Sequence, residues 1–394
     1  MSSKEYSRAV FVIMGGGIIG SAAAFFLARR GLAADTIVIE PDPTYEFAAT
    51  PAGAGGVRRL MSRPGNIQMS QFSLDFYADM SAELEMDVDI GFKRQGYLFL
   101  VDAAGVAELE LNFKTQQSLG VDASLLDLDA LQRVFPSVGT DQVAMACHSP
   151  NDAWIDPQAA MLALRHKAEQ LGVQYIRERV IGLECSGNSV KSAILQSASR
   201  VEADHFINTA GAWAAEIAAM TDDRLPVVPM CRVQHYWLAE NEIEPLPLVK
   251  DGTGSFFRPE GAGFVGGRPS FEIEPGFIRD IDQGYFADYF ERSVWPLLAD
   301  MVPKFESIKL QRQWGGHYAQ NQFDGNMILG RYSRQYENII TACGFSGHGI
   351  MHAPAVGRAI SELCVDREFR TLDLSAFGFQ RVIDNRPYAE IGIR

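Results

Sequence analysis

The sequence predicts an α/β (α+β) chain in two parts, a Rossmann-like parallel-sheet part and a strand-rich part inserted within it. Three observations predict this. An apolar strand, Val10–Met14, runs into Gly15-Gly16-Gly17-Ile18-Ile19-Gly20, a G-x-G-x-x-G pattern, and then into Ala-rich helix material from Ser21 to Arg30. A second strand, Thr36–Ile39, ends in Glu40, twenty positions after Gly20. From Val227 to Gly267 the pattern turns mostly to strand, which inside an α/β chain marks a separate sheet.

The first element carries its own chemistry. Gly15 allows a tight turn, Gly17 lets a pyrophosphate approach the backbone, and Gly20 lets helix and strand pack closely. The helix N-terminus faces the phosphates, and Ile18 and Ile19 of the turn before it are expected to touch the cofactor. Glu40, followed by Pro41, can accept hydrogen bonds from a ribose, and its charge would repel a 2′-phosphate. A glycine turn alone is common; placed between a strand and a helix, with an acid closing the next strand, it predicts an adenine dinucleotide.

Composition narrows the field. The 394 residues are 47% hydrophobic and 21% charged, ordinary for a soluble enzyme of two or three domains. A net charge of −14 without a basic stripe argues against nucleic-acid binding. Cys147, Cys185, Cys231, Cys343 and Cys364 are odd in number and form no C-x-x-C pair, which argues against a disulfide scaffold and a structural zinc site and for a reducing compartment. Lys4 and Arg8 precede an apolar run over 9–28 that imitates a signal peptide or membrane span. Phosphate binding explains its glycines better, so the expectation is a cytoplasmic protein with no membrane span.

Taken in order, Ala49–Arg59 is small and glycine-rich and ends in two arginines, so its backbone is expected to approach a ligand. A one-sided helix is expected over Asn66–Leu84, a strand over Lys93–Leu100, and a helix over Val106–Leu119. Asp156-Pro157 opens a helix running from Gln158 to Gly172. Strands follow at Val173–Ile176, Arg179–Leu183, Ser189–Ala193 and Asp204–Ile207, then a small-residue turn, Asn208–Trp213. Strands at Arg232–Leu238, Ser255–Arg258 and Gly263–Gly266 make up the inserted sheet, and a last helix is expected over Ala353–Leu363.

Several ordered motifs together resemble a known family. The opening glycines with Glu40, Gly55-Gly56-Val57-Arg58, Asp156-Pro157, Asn208-Thr209-Ala210-Gly211-Ala212-Trp213, Phe257-Arg258-Pro259-Glu260-Gly261, Asp324-Gly325-Asn326 and Gly344-Phe345-Ser346-Gly347-His348-Gly349 occur in the order of the FAD-dependent D-amino-acid-oxidase superfamily. Within it the chain is most similar to the sarcosine oxidase and dimethylglycine dehydrogenase group. The resemblance implies FAD and two domains. A discontinuous FAD-binding domain would span 1–90, 150–225 and 325–394, and a substrate domain with a large mixed, mainly antiparallel sheet 91–149 and 226–324. It implies FAD contacts from Thr50, Ala54, Gly55, Gly56, Val57, Val180, Thr209, Ala210, Gly211 and Trp213. Gly344, Gly347, His348, Gly349 and Ile350 would lie against the isoalloxazine, where a helix N-terminus stabilises negative charge.

The implied reaction is hydride removal from the carbon next to the nitrogen of a secondary or tertiary amino acid, giving an imine that hydrolyses. Departures from the pattern refine this. The subgroup's flavin-linked cysteine falls on Gly316, implying non-covalent FAD. Its oxygen-activating lysine falls on Val265 and its carboxylate-binding cation on Met351. A neutral Val265 cannot stabilise superoxide, which tilts the expectation toward a dehydrogenase passing electrons to a carrier or quinone. Arg58, Arg59, Arg258 and Arg268 are candidates to anchor the substrate carboxylate, and His235, His317 and Tyr318 are candidate polar groups over the flavin. His348 and His352 lack the glutamate of an H-E-x-x-H zinc motif, so no metal is expected. A 2-hydroxy-acid dehydrogenase and a non-catalytic flavoprotein remain the alternatives.

Overall fold

The computed structural model describes residues 6, 8–270 and 272–392, so Lys4 lies outside the described residues. Strand β1 (Ala9–Met14), helix α1 (Ile18–Leu27) and strand β2 (Thr36–Ile39) form the opening unit. β1 is central in its sheet, paired in parallel with β2 on one side and with Arg200–Asn208 on the other. Its side chains are apolar on both faces, as a covered parallel strand requires. Gln174–Ile176 extends the sheet beyond β2. Ile339–Cys343 joins Arg200–Asn208 in parallel, and the hairpin Val180–Ser186 and Ser189–Leu195 leads antiparallel from the same strand.

α1 is buried at every position because it is apolar all round. It packs against the helices Gly349–Val365 and Pro157–Gln170. The contact with the first is close: a Cβ on Gly357 would lie 2.6 Å from the Ala22 backbone. Asp156 caps the second, accepting from the Gln158 and Ala159 amides at 2.9 and 3.0 Å, with Pro157 at its first position.

The second sheet has eight strands. Their spatial order is Ile308–Asn321, Val227–Ala239, Gly263–Gly267, Phe256–Glu260, Leu248–Asp251, Tyr97–Val101, Met145–Ser149 and Ser124–Leu126. Every pairing is antiparallel except that of Leu248–Asp251 with Tyr97–Val101. The mixed, mainly antiparallel sheet expected from the resemblance is therefore present. Its longest strand, Ile308–Asn321, is not identified from the sequence, nor are Leu248–Asp251 and Ile339–Cys343. Among the described residues no helix is long and apolar enough to cross a membrane.

Candidate active site

A cavity of about 490 Å³ runs between the two sheets, bounded by both glycine-rich segments. At one end the first motif forms a cradle. Gly15 has φ +106, and a Cβ there would meet the Thr209 carbonyl at 2.6 Å. A Cβ on Gly20 would lie 1.9 Å from the Gly15 carbonyl oxygen, whereas Gly17 has nothing within 4 Å of that position. The motif thus packs tightly behind and opens in front. Among the described residues no side chain caps α1, and Ile18 and Ile19 of its first turn line the cavity. The Glu40 carboxylate accepts from the Gly16 amide at 2.8 Å and the Asp42 amide at 2.9 Å. Burial raises its pKa against the pull of those two amides. These features fit the ribose and pyrophosphate of a dinucleotide.

The other end is built by the helix Gly349–Val365 and the second sheet. The turn before the helix has positive φ at Gly344, Ser346 and Gly347. A Cβ on Gly347 would press on the Tyr318 ring at 2.9 Å. His348 stands at the helix N-cap and makes no capping hydrogen bond with its side chain. Its Nε2 lies 3.3 Å from an Arg58 guanidinium nitrogen. Arg58 is only 3% exposed, donates to the Leu60 carbonyl and lies 5.1 Å from the Phe99 ring centroid. It forms no close ion pair with a carboxylate among the described residues; burial lowers its pKa against the longer-range pull of Glu390 and Asp152. Tyr97, Leu248, Phe256 and Met351 add aromatic and apolar wall, and Arg232, Gln234 and Lys250 add polar groups.

Most residues expected to bind the cofactor do line this cavity: Gly15, Gly17, Ile18, Ile19, Glu40, Pro41, Thr50, Ala54, Gly55, Gly56, Val180, Thr209, Ala210, Gly211, Trp213, Gly347, His348, Gly349 and Ile350. Gly20, Val57 and Gly344 do not. Gly20 backs the turn, Val57 is buried in the core, and Gly344 sits against Asn321 and Val227.

The expected catalytic residues divide. Arg58 and Tyr318 line the cavity. His235 does not: it alternates with Arg232 and Gln234 along its strand, and its ring lies 4.9 Å from Phe290 in an aromatic cluster. His317 neighbours Tyr318 and faces away for the same reason; its Nε2 accepts from the Ile278 amide at 2.9 Å. Arg258 also lies outside the wall: it donates to the Ala54 carbonyl at 2.7 Å and pairs with Glu260, so it braces the glycine-rich loop. Arg59 pairs with buried Asp152 at 2.7 Å, and the Arg268 carbonyl accepts from the Tyr289 hydroxyl at 3.1 Å. Val265 is buried in its strand outside the cavity, while Lys250, two strands away, lines it.

Sequence reading misses Arg232, Gln234 and Lys250. Period-two alternation shows that Arg232 and Gln234 share a face opposite to His235, but not which face is the wet one. Lys250 lies on a strand too short to show a pattern.

A dinucleotide cradle joined to a chamber of cationic and aromatic side chains defines a dinucleotide-dependent oxidoreductase. The model of the FAD-dependent oxidoreductase (DAO) family matches residues 11–363, and the chain belongs to that family. Its cofactor is accordingly FAD, which the cradle and the two uncapped helix N-termini fit. The chain is 36% identical to an FAD-dependent oxidoreductase domain-containing protein 1 of Xenopus laevis, over 98% of this chain and 85% of that one. It is 28% identical to a 4-methylaminobutanoate oxidase (formaldehyde-forming) of Paenarthrobacter nicotinovorans, over 89% of this chain and 43% of that one. Among solved structures it resembles L-proline dehydrogenase from P. horikoshii, with a TM-score of 0.83 and 26% identity, covering 97% of this chain and 99% of that one.

Proposed function

We propose that this protein oxidises a secondary or tertiary amino acid at the carbon next to its nitrogen, giving an imine that hydrolyses. The observation that carries this reading is Arg58, a buried guanidinium facing the chamber that forms no close ion pair with a carboxylate among the described residues, Glu390 and Asp152 acting on it only at longer range. A buried cation of this kind calls for an anion from the ligand, and a guanidinium suits a carboxylate. Relatives named for N-methylated and cyclic secondary amino acids support the amine. Tyr97, Leu248, Phe256 and Met351 would exclude water from the substrate. FAD, when bound, supplies the two-electron acceptor.

On this reading the FAD is non-covalent. Among the described residues no cysteine lines the cavity, and a Cβ on Gly316 would meet the Ala52 Cβ at 2.4 Å. Residues 1–90, 150–225 and 325–394 make the FAD domain, and 91–149 and 226–324 the substrate domain; the strand membership of the two eight-stranded sheets supports the division, and a small sheet of Gly56–Val57, Ala153–Trp154 and Lys93–Arg94 joins the two parts. The electron acceptor is a carrier or quinone. Similarity to L-proline dehydrogenase supports this. The neutral Val265 no longer does, because it lies outside the chamber and Lys250 brings an amine into it.

The test is an anaerobic titration of the purified protein, following flavin absorbance with sarcosine, dimethylglycine, L-proline, D-alanine and 2-hydroxy acids. Bleaching by N-substituted amino acids is expected, with faster re-oxidation by a dye or quinone than by air. Bleaching by 2-hydroxy acids alone would replace the amine assignment. An inert flavin would leave a binding protein, and rapid air oxidation would defeat the dehydrogenase assignment.

A further inference from the structure

Building on the amine reading above, we propose that Lys250 is a catalytic base that takes the proton from the substrate ammonium. Such a proton must leave before the neighbouring carbon can give up a hydride, because only a nitrogen lone pair can stabilise the cation that develops. The step is a balanced proton transfer. The substrate N–H bond breaks, its electron pair stays on the substrate nitrogen, and a new N–H bond forms with the lone pair of neutral Lys250. No oxidant or reductant is needed.

The placement of Lys250 carries the argument. It sits on Leu248–Asp251, in register with Phe99 and Phe256, within the second sheet at the chamber wall that also holds Arg58 and Tyr97. It is the one lysine among the described residues that line the cavity. The histidines expected over the flavin, His235 and His317, are outside it. His348 lines the cavity but is engaged with Arg58. Tyr97 and Tyr318 are held in their protonated forms by burial. The guanidinium groups of Arg58 and Arg232 do not serve as bases in proteins.

The charges around Lys250 favour a neutral amine. Burial comes first and the Arg58 charge second, and together they push its pKa down to about 7 against the opposing pull of Asp251. Asp251 is committed to its own turn, accepting from the Thr253 hydroxyl at 2.7 Å and the Ser255 amide at 2.9 Å. Among the described residues, the other charged or titratable groups lining the cavity include Arg232, Tyr97, Tyr318, His348 and Glu390. Glu390 is tied to the Ser62 hydroxyl at 2.7 Å. A lysine in this setting carries its lone pair at neutral pH, when an ordinary lysine would not.

The test uses the FAD-loaded enzyme, with stopped-flow flavin reduction by sarcosine, dimethylglycine and L-proline across pH, for wild type, K250M and K250R. At pH 7 both variants should reduce the flavin about 100-fold more slowly. The deficit should shrink as pH rises toward about 10, where an alkylamine arrives already neutral. K250R separates a base from a mere cation: if it keeps the wild-type rate and pH profile, the base assignment is overturned. A second readout does not depend on turnover. In ¹⁵N-lysine NMR of the holoenzyme, the signal missing from K250R should titrate near pH 7, and titration in the ordinary lysine range would overturn the proposal. If none of the three amines bleaches the flavin, the amine reading falls and the base role with it; bleaching with an unaltered K250R profile removes the base role alone.

Discussion

Adjacent arginines in this chain have opposite fates. Arg58 points into the chamber, whereas Arg59 bonds buried Asp152 through both its backbone amide and its guanidinium. Arg58 should therefore carry substrate affinity. Replacing it with Met removes a charge-assisted hydrogen bond worth about 1.5–3 kcal/mol, a rise in KM of roughly 10- to 150-fold. The R268M variant should stay within about twofold, because Arg268 lies outside the chamber wall. Steady-state kinetics with the best amine substrate checks both, and equal losses would remove Arg58 from its role. The sequence offers Arg58 and Arg59 on equal terms and cannot show which of them lines the cavity. The choice depends on Asp152, which meets Arg59 only after some ninety intervening residues have folded.

At the scale of elements, the motif helices were legible where local chemistry marks their ends and obscure where a partner supplies it. Asp156-Pro157 announces a helix start by capping alone. The last helix begins at Gly349, not at Ala353, and contains Pro354. Proline at that position cannot donate to the Ile350 carbonyl, a gap that reads as a helix breaker. The Tyr77 hydroxyl fills the gap instead, donating to the Ile350 carbonyl at 2.8 Å. No local pattern could reveal a donor from a distant helix. The Y77F variant should leave that carbonyl unsatisfied beside the cavity, at a cost of about 1–3 kcal/mol. A lowered thermal midpoint with weaker flavin retention is expected, and an unchanged midpoint would show that water or another donor replaces the hydroxyl. Ile308–Asn321 escaped for a related reason: its residues are polar and glycine-broken, and its strand identity comes from the long pairing with Val227–Ala239.

Across the whole molecule, the two sheets were foreseeable from their patterns, but which faces meet was not. That missing information put His235 in the wrong place, and its true place has a consequence for stability. Burial beside Tyr289 and Phe290 pushes its pKa from 6.5 down to about 4, against the pull of the Gly266 backbone. In the unfolded chain His235 takes a proton as pH falls through 6.5, while in the folded protein it stays neutral until about 4. The unfolded state therefore binds more protons in that window, and the folded state loses stability as pH falls through it. Above the window the contribution is constant. His352, with a pKa lowered to about 3, acts with the same sign. Glu40, Asp152 and Asp251 act against it, since burial raises their pKa values and favours the folded state in acid. The net slope mixes these groups, so the variant is more informative than wild type alone. Phenylalanine suits the aromatic surroundings of His235 and takes no proton. Between pH 6.5 and about 4.5, H235F should lose about 2–3 kcal/mol less stability than wild type, measured by urea unfolding of the FAD-loaded protein. Parallel acid slopes for the two proteins would mean that His235 is hydrated in the native state and contributes nothing to acid sensitivity.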